Sequence, residues 1–145
     1  MRSRLIKIPT IILFSLLTIC VWGGESQDSF ADTLYVATNG NNQRSRAQAR
    51  NRSTPWRTIQ RAVDEANPGD EVVVLSGQYN ESVQIRRSGQ PNRDILVRAE
   101  NSQGARLVGS FSTSDESYIT IEGFDVSNLI RLGRPRGLTL YVAIT

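Results

Sequence analysis

A short apolar pattern that recurs at nearly constant spacing constrains this chain more than any other feature. Residues 72–74 (VVV) are followed 23 residues later by residues 95–97 (ILV), which are followed 24 residues later by residues 119–121 (ITI). A second series of short apolar segments lies between them, at residues 83–85, 107–108 and 124–126. Turns rich in Gly, Asn, Ser and Pro separate the segments. Because no helix-length apolar segment lies between them, a sheet built by alternating strands and helices is not expected.

Repeats that contain only strands and turns predict a solenoid, because one repeat cannot bury its apolar face alone and must stack on the next. Equivalent strands would then pair in parallel, with alternate side chains facing inward. The predicted inward residues are Val72, Val74, Val83, Ile85, Ile95, Val97, Leu107, Ile119, Ile121, Phe124 and Val126. The rival fold is an antiparallel β-sandwich, which also has short strands at even spacing.

The segment before the first repeat predicts a short amphipathic helix. Thr54 can act as its N-cap, and Pro55 suits the first helical position, where the missing N–H costs nothing. Apolar residues at helical spacing predict one buried face: Trp56, Ile59, Val63 and Ala66. Residues 67–70 (NPGD) would end the helix, because proline cannot continue it and glycine permits a left-handed turn. We expect this helix to cover the first repeat, since terminal repeats need a cap.

Four segments occur in an order that resembles a known family: residues 34–40 (LYVATNG), 54–60 (TPWRTIQ), 67–74 (NPGDEVVV) and 76–79 (SGQY). Over residues 34–127 the chain resembles the N-terminal coils of the pectate-lyase-like right-handed parallel β-helix superfamily. The resemblance implies an all-β fold, a right-handed single-stranded parallel β-helix of which only the N-terminal coils are present, capped by one short α-helix. Members of this family include secreted polysaccharide lyases that act on pectate, alginate or chondroitin.

The N-terminus has the pattern of a secretory signal peptide. Basic residues at positions 2, 4 and 7 precede an apolar run at residues 8–22, and Ser29, Phe30 and Ala31 form a small-x-small site before Asp32. We therefore predict a signal peptide at residues 1–31, cleavage between Ala31 and Asp32, and a secreted or periplasmic protein with no stable membrane anchor. An uncleaved membrane anchor and a lipoprotein anchor at Cys20 are the alternatives.

The rest of the chain divides into three parts in this prediction. Residues 32–53 hold a first strand and an arginine-rich segment without an apolar period, which we interpret as a mobile surface loop rather than a site for acidic polysaccharide. Residues 54–128 hold the capping helix and about three coils. Residues 129–145 depart from the repeat. Either residues 138–144 fold back as a terminal strand, or the tail is truncated or frame-shifted, which is the interpretation we favour.

Composition excludes several kinds of catalytic site. The chain has no histidine, its only cysteine is Cys20 and its only lysine is Lys7. A Ser-His-Asp site, a cysteine nucleophile after cleavage and an ordinary zinc site are therefore not expected. No glycine-rich loop matches a dinucleotide fingerprint. The net charge of +3 is too mild to predict a nucleic acid partner.

The resemblance implies β-elimination on a uronate-containing polysaccharide, with a lysine or arginine as the base and calcium or arginine at the substrate carboxylate. We assign no catalytic residue, because these groups lie on later coils than the ones this chain resembles. Arg86, Arg87 and Arg98 are the candidate substrate-binding residues. Calcium is implied by the resemblance only, with Asp70, Glu71 and Asn39 as conceivable ligands, although they lack an ordered ligand series such as an EF-hand loop.

We therefore predict the exported N-terminal part of a pectate-lyase-like protein that acts on or binds acidic polysaccharide and is catalytically incomplete by itself. If the complete protein is active, it is predicted to be a polysaccharide lyase. The alternative is a non-catalytic extracellular β-helix module with an adhesive or structural role.

Overall fold

Ten short strands and two short helices account for the regular structure of residues 31–127, 131–132 and 138–144, which are the residues that the computed structural model describes. The strands are β1 (Thr33–Val36), β2 (Glu71–Val74), β3 (Gly77–Tyr79), β4 (Val83–Gln84), β5 (Ile95–Ala99), β6 (Ala105–Leu107), β7 (Phe111–Thr113), β8 (Ile119–Val126), β9 (Arg131–Leu132) and β10 (Leu138–Ile144). The helices are α1 (Arg46–Ala49) and α2 (Ile59–Glu65). The predicted signal peptide lies outside the described residues except for Ala31.

The strands pair in parallel and form two sheets. The larger sheet has seven strands in the order β1-β2-β5-β8-β6-β3, with β10 also paired to β8, and the smaller has the order β4-β7-β9. Val72 pairs with Val97, and Val97 pairs with Ile121. The repeated apolar segments therefore lie side by side in one sheet, which excludes the antiparallel sandwich for these residues.

The predicted fold class is wrong. A right-handed single-stranded parallel β-helix with one capping helix is not what these residues form; they form one seven-stranded and one three-stranded parallel sheet, with two helices. The difference arises at β8, where the sequence predicts two segments separated by a turn. Gly123 adopts a φ of 75°, which glycine tolerates, and the strand continues through it without a break. The first half of β8 then pairs with β5 and the second half with β6, so both series of segments join one sheet.

The core is made of the apolar side chains that the repeat predicts. All the predicted inward residues are buried, from Val72 to Val126. The sequence analysis missed Phe111 on β7, which is fully buried and packs edge-to-face against Phe124 with 5.2 Å between the ring centroids. Aromatic pairs of this geometry stabilise a core beyond the area that they bury.

Helix α2 begins later than the sequence predicts. Thr58, not Thr54, is its N-cap, and the Thr58 hydroxyl accepts a hydrogen bond from the amide of Arg61 at 3.3 Å. Residues 54–57 instead run beside β1, where the amide of Trp56 donates to the carbonyl of Tyr35 at 2.9 Å. The helix starts later than predicted because residues 54–57 use their backbone groups to pair with β1 and not to form a helical turn.

The predicted burial of the helix against the first repeat is confirmed. Trp56, Ile59 and Val63 are all buried, and α2 packs against β1, β2 and β4. A helix of seven residues is marginal in isolation, so its stability depends on this packing.

The arginine-rich segment contains a helical turn rather than only a loop. Ser45 and Gln48 form a capping box at the start of α1, and Ala49 is fully buried. The indole N–H of Trp56 donates to the carbonyl of Arg44 at 2.8 Å, which fastens the segment to the core. The sequence does not predict α1, because the segment has no apolar period. Capping and hydrogen bonds to distant residues hold it instead.

The tail is described in part. Strand β10 pairs in parallel with β8, with Leu138 opposite Ile119, as in the alternative of a terminal strand. Residues 128–130, 133–137 and 145 lie outside the description. Within the described residues, no helix is long and apolar enough to cross a membrane.

Candidate functional site

Two of the three arginines predicted to bind substrate are in ion pairs. Arg98 on β5 donates to the carboxylate of Glu71 on the neighbouring strand β2. Arg86 donates to the carboxylate of Asp64 on α2 at 3.4 Å. Arg98 lies on β5 of the larger sheet, whereas Arg86 follows β4 of the smaller sheet, and the two arginines pair with different carboxylates.

Arg87 is exposed and is held less firmly. Its Nη1 lies 3.4 Å from the carbonyl oxygen of Ala66 and 3.4 Å from the side-chain oxygen of Asn67, both at the end of α2. It is the one of the three candidates that pairs with no carboxylate of the described residues. Arg87 therefore stays a candidate, although it lines neither of the two depressions described below.

Five other described arginines also pair with carboxylates, and in every case except Arg61 the carboxylate belongs to another segment of the chain. The pairs are Arg46 and Arg50 with Asp32, Arg52 with Glu100, Arg61 with Glu65, and Arg106 with Asp125. In one of them, two hydrogen bonds from Arg52, at 2.8 and 2.9 Å, hold the pKa of Glu100 below its ordinary value. The arginine content therefore serves largely to connect segments of this chain.

Two polar depressions share the side chain of Arg57, and we call their combined surface the Arg57 groove. The larger depression has a volume of about 480 Å³ and is lined, besides Arg57, by Asn39, Gly40, Asn41, Asn42 and Gln43. The smaller has a volume of about 150 Å³ and is lined, besides Arg57, by Thr38, Thr58, Gln78, Tyr79, Asn80 and Glu81. Amide and hydroxyl groups therefore surround one guanidinium group.

Asn42 positions the backbone on both sides of this arginine. Its side-chain oxygen accepts from the amide of Arg57 at 2.8 Å and from the amide of Thr58 at 3.1 Å, and its side-chain nitrogen donates to the Thr58 hydroxyl at 2.9 Å. The guanidinium Nε of Arg57 donates to the carbonyl of Gly40 at 3.0 Å. One edge of the guanidinium is thus fixed by the loop after β1.

Gly40 allows that loop to approach the backbone next to Arg57. A Cβ atom at this position would lie 2.1 Å from the carbonyl oxygen of Trp56, so no other residue fits. The amide of Asn41 donates to the carbonyl of Pro55 at 3.1 Å, which closes the same contact. The groove is therefore built by direct pairing of two loops.

Glu81 lies in the groove, but its carboxylate is engaged. Its two oxygens accept from the amides of Ile59 at 2.9 Å and Gln60 at 3.0 Å, at the N-terminus of α2. A carboxylate at this end of a helix satisfies backbone donors and complements the helix dipole. Glu81 is therefore a helix-capping residue, supplied by a segment that follows β3.

The arrangement suits a polyhydroxylated ligand that carries a carboxylate. The side chains of Asn39 and Asn41 are exposed, and their amide groups can donate to hydroxyl groups of a ligand. The side-chain oxygen of Asn41 already accepts from the amide of Gln43 at 2.9 Å. Arg57 is exposed, and no carboxylate of the described residues forms an ion pair with it. A guanidinium group in this state can pair with a carboxylate through two parallel hydrogen bonds.

Aromatic stacking on sugars is not provided by Trp56 or Tyr79. Both rings are buried. The phenol of Tyr79 donates to the carbonyl of Leu75 at 2.8 Å. Burial, together with the charge of Glu81, raises the pKa of Tyr79 well above its ordinary value, so the phenol stays protonated.

Two of the three conceivable calcium ligands, Asp70 and Glu71, have other partners, and the third, Asn39, lines the larger depression of the Arg57 groove. Asp70 accepts hydrogen bonds from Asn67, Asp32 and Arg46, and Glu71 pairs with Arg98. The described residues contain no group of three or more His, Cys, Asp or Glu side chains placed to hold a metal ion. These residues therefore do not fit a calcium site, and the calcium implied by the resemblance has no place assigned to it here.

Sequence reasoning missed the residues that build the groove. Arg57 was placed on the helix, and Asn42 and Glu81 were not candidates at all. Asn42 precedes the helix N-cap by 16 residues and Glu81 follows it by 23, so neither shows a local capping pattern. The one available signal was the run of turn residues 39–42 (NGNN), which predicted a turn but not its partner.

Comparisons with known proteins give little further information. No protein-family model matches the chain, and no solved structure matches it. A curated relative, the "Uncharacterized protein YwoF" of Bacillus subtilis (strain 168), is 26% identical over 95 residues. The match covers 66% of this chain and 19% of that protein, so the chain spans about a fifth of its length. The resemblance to pectate-lyase-like proteins therefore stays a prediction.

Proposed function

We propose that this chain is the N-terminal part of an exported protein that binds acidic polysaccharide, with the Arg57 groove as the binding surface. The observation that carries the proposal is the state of Arg57. This exposed arginine is held by a carbonyl, has no carboxylate partner among the described residues, and faces amide side chains. Export is supported by the basic and apolar pattern of residues 1–31.

The chemistry of a uronate matches this surface. A uronate carboxylate accepts hydrogen bonds from a guanidinium group, and the ring hydroxyls exchange hydrogen bonds with amides. The larger depression, at about 480 Å³, falls within the range of about 300–1,000 Å³ that is typical of small-ligand sites. A polymer would bring many identical units past one shallow groove, so weak binding per unit is sufficient.

Binding is the part of the predicted function that the described geometry supports. A general base for β-elimination needs a pKa near the working pH. The described carboxylates with a resolved shift, Glu100 and Glu116, have lowered pKa values and are poor bases. Polysaccharide cleavage by the complete protein therefore stays a prediction without assigned residues.

Affinity electrophoresis of the exported protein tests the proposal. Gels that contain polygalacturonate should retard the protein, whereas gels that contain neutral dextran should not. Because a hydrogen bond to a charged group contributes about 1.5–3 kcal/mol, Arg57→Gln should weaken retardation about tenfold or more. Arg52→Gln removes the same charge from another exposed site and should change retardation less than about twofold.

Two results would overturn this assignment. Equal migration in charged and neutral gels would exclude acidic polysaccharide as the ligand. If Arg87→Gln abolished retardation and Arg57→Gln did not, the binding surface would lie at the end of α2 and not in the Arg57 groove. A parallel assay for unsaturated uronate by ultraviolet absorbance distinguishes a polysaccharide lyase from a non-catalytic binding module. Retardation without formation of the unsaturated product favours the non-catalytic module.

A further inference from the structure

Four charged side chains meet where the described chain begins, and we call them the Asp70 cluster. Arg46 on α1 lies 3.0 Å from a carboxylate oxygen of Asp32 and 2.6 Å from Oδ2 of Asp70. Arg50 lies 2.9 Å from the other carboxylate oxygen of Asp32. The side chain of Asp70 is 0% exposed and that of Arg50 is 57% exposed, so the cluster has a closed inner part and an open outer arginine.

The backbone nitrogen of Asp32 belongs to this closed part. It donates to Oδ1 of Asp70 at 2.9 Å, whereas Oδ2 of Asp70 accepts from Arg46 and from the amide of Asn67. The carbonyl of Asp32 accepts from the amide of Glu71 at 2.9 Å, as the first link between β1 and β2. The nitrogen is therefore fixed against a buried carboxylate oxygen.

The two oxygens of the buried Asp70 carboxylate share one charged partner. Arg46 contacts Oδ2 of Asp70 and also contacts Asp32, whose other oxygen pairs with the largely exposed Arg50. A buried carboxylate is costly unless it is paired and hydrogen-bonded. At present the Oδ1 atom of Asp70 meets a neutral amide, which is a weaker partner than a cation.

We propose that cleavage between Ala31 and Asp32 creates an N-terminus whose α-ammonium group forms an ion pair with the buried carboxylate of Asp70. The proposal goes beyond polysaccharide binding and rests only on the predicted export of the chain. It assigns Asp70 as the receptor of the processed N-terminus, so that removal of the signal peptide completes this end of the fold.

The chemical step is an ordinary peptide hydrolysis by a signal-processing peptidase. Water adds across the Ala31–Asp32 bond, its oxygen going to the carbonyl carbon of Ala31 and a hydrogen to the nitrogen of Asp32. At neutral pH the new carboxyl group loses a proton and the new amine gains one. Because Ala31 is exposed, its departure opens the remaining N–H groups to water, while one still points at Oδ1 of Asp70.

The new α-amino group can be measured directly, because the chain after the cleavage site lacks lysine. Residues 32–145 contain no lysine, so the α-amino group is the only primary amine of a chain that starts at Asp32. The exported protein is first analysed by N-terminal sequencing and is then treated with acetic anhydride. Hydroxylamine removes acetyl groups from tyrosine, and intact mass then reports acetylation of the amine. Only the uncharged amine reacts, so each unit by which the ion pair raises the pKa of the amine slows the reaction about tenfold.

We expect the native protein to react about tenfold or more slowly than the urea-unfolded protein and than the peptide Asp-Thr-Leu-Tyr. A variant that retains Ala31 carries its amine on an exposed residue and should react at the peptide rate. Asp70→Asn should restore fast reaction, and Arg50→Gln, which leaves Asp70 in place, should not. If Asp70→Asn fails to fold, the pH dependence of the native rate decides instead, because an ion pair slows the amine only below its raised pKa, whereas burial slows it at every pH.

An N-terminus at a residue other than Asp32, or a native rate equal to the peptide rate, would overturn the proposal. Either result would leave the Arg57 groove untouched, because polysaccharide retardation is measured separately. Slow acetylation that persists in folded Asp70→Asn would also overturn it, since burial alone would then protect the amine.

Discussion

The strand region, residues 71–127, and the cap region, residues 31–70, are held together by different kinds of contact. In the strand region, apolar side chains meet in register, as when Ile95 lies beside Ile119. In the cap region, single polar atoms join residues far apart in sequence, as when Arg46 reaches Asp70. The first kind of contact depends on periodicity, and the second depends on particular donors and acceptors.

This difference explains where a binding surface can arise. Inward side chains of the strand region are interchangeable apolar groups that leave nothing to recognise a ligand. The cap region fixes polar groups at defined positions, as Asn42 and Gly40 do for Arg57. The Arg57 groove is therefore a by-product of the contacts that hold the cap in place.

The largest expected effects on stability come from removing one large buried aromatic ring in each region. Phe124→Ala and Trp56→Ala should each lower the free energy of unfolding by about 3–5 kcal/mol, because both side chains are fully buried. Urea unfolding of the protein measures both, and Val108→Ala, at an exposed position, should cost less than about 0.5 kcal/mol. A near-wild-type Trp56→Ala would mean that the cap contributes nothing to the folded core.

A smaller effect is expected when the polar centre of the cap is changed. Asp70→Asn should lower the free energy of unfolding by about 2–3 kcal/mol, because Arg46 loses the carboxylate that it contacts inside the protein. Asp115→Asn, at an exposed residue, should change stability by less than about 0.5 kcal/mol. Equal effects of the two substitutions would show that the Asp70 cluster does not hold the cap.

The sequence predicted the strand region well at the level of residues and poorly at the level of sheets. Alternation is visible in residues 95–97 and 119–121, and their inward side chains are buried as expected. The joining of both strand series through β8 was not predictable, because it depends on a single glycine, Gly123, which takes a left-handed conformation without ending the strand. A glycine between two apolar segments usually indicates a turn.

The cap region was predicted only in part, and the candidate site was not predicted at all. The apolar face of α2 was found because its period is local. The partners of Arg57 and the helix-capping role of Glu81 depend on residues that are brought together only by folding. Likewise, Arg98 was predicted to bind substrate, and only the pairing of β2 with β5 reveals Glu71 as its partner.

Glu81→Gln tests whether the two regions are joined by helix capping. The substitution keeps the shape of the side chain but replaces one of the two oxygens that accept from Ile59 and Gln60. We expect a loss of about 1–2 kcal/mol in unfolding free energy, typical of a helix cap with a charge at the dipole. Glu122→Gln removes the same charge from β8 and should have less than half this effect; equal losses would contradict the capping role.

The smallest expected effect is a pH dependence confined to the strand region. Burial opposes ionisation of Glu116, but hydrogen bonds from its own amide, Thr113 and two neighbouring amides outweigh it and lower the pKa of the carboxyl group. A lowered pKa in the folded state contributes stability that is present above about pH 4.5 and is lost as the pH falls through the folded value.

The unfolding free energy, measured with urea, should therefore be lower at pH 3 than at pH 7. After allowance for solvent screening, Glu116 should account for no more than about 1 kcal/mol of this difference. Glu116→Gln should remove that share of the fall and leave the rest, while Asp115→Asn should leave this share in place. If Glu116→Gln loses as much stability on acidification as the unchanged protein does, the hydrogen bonds that meet at this carboxylate do not stabilise the turn between β7 and β8.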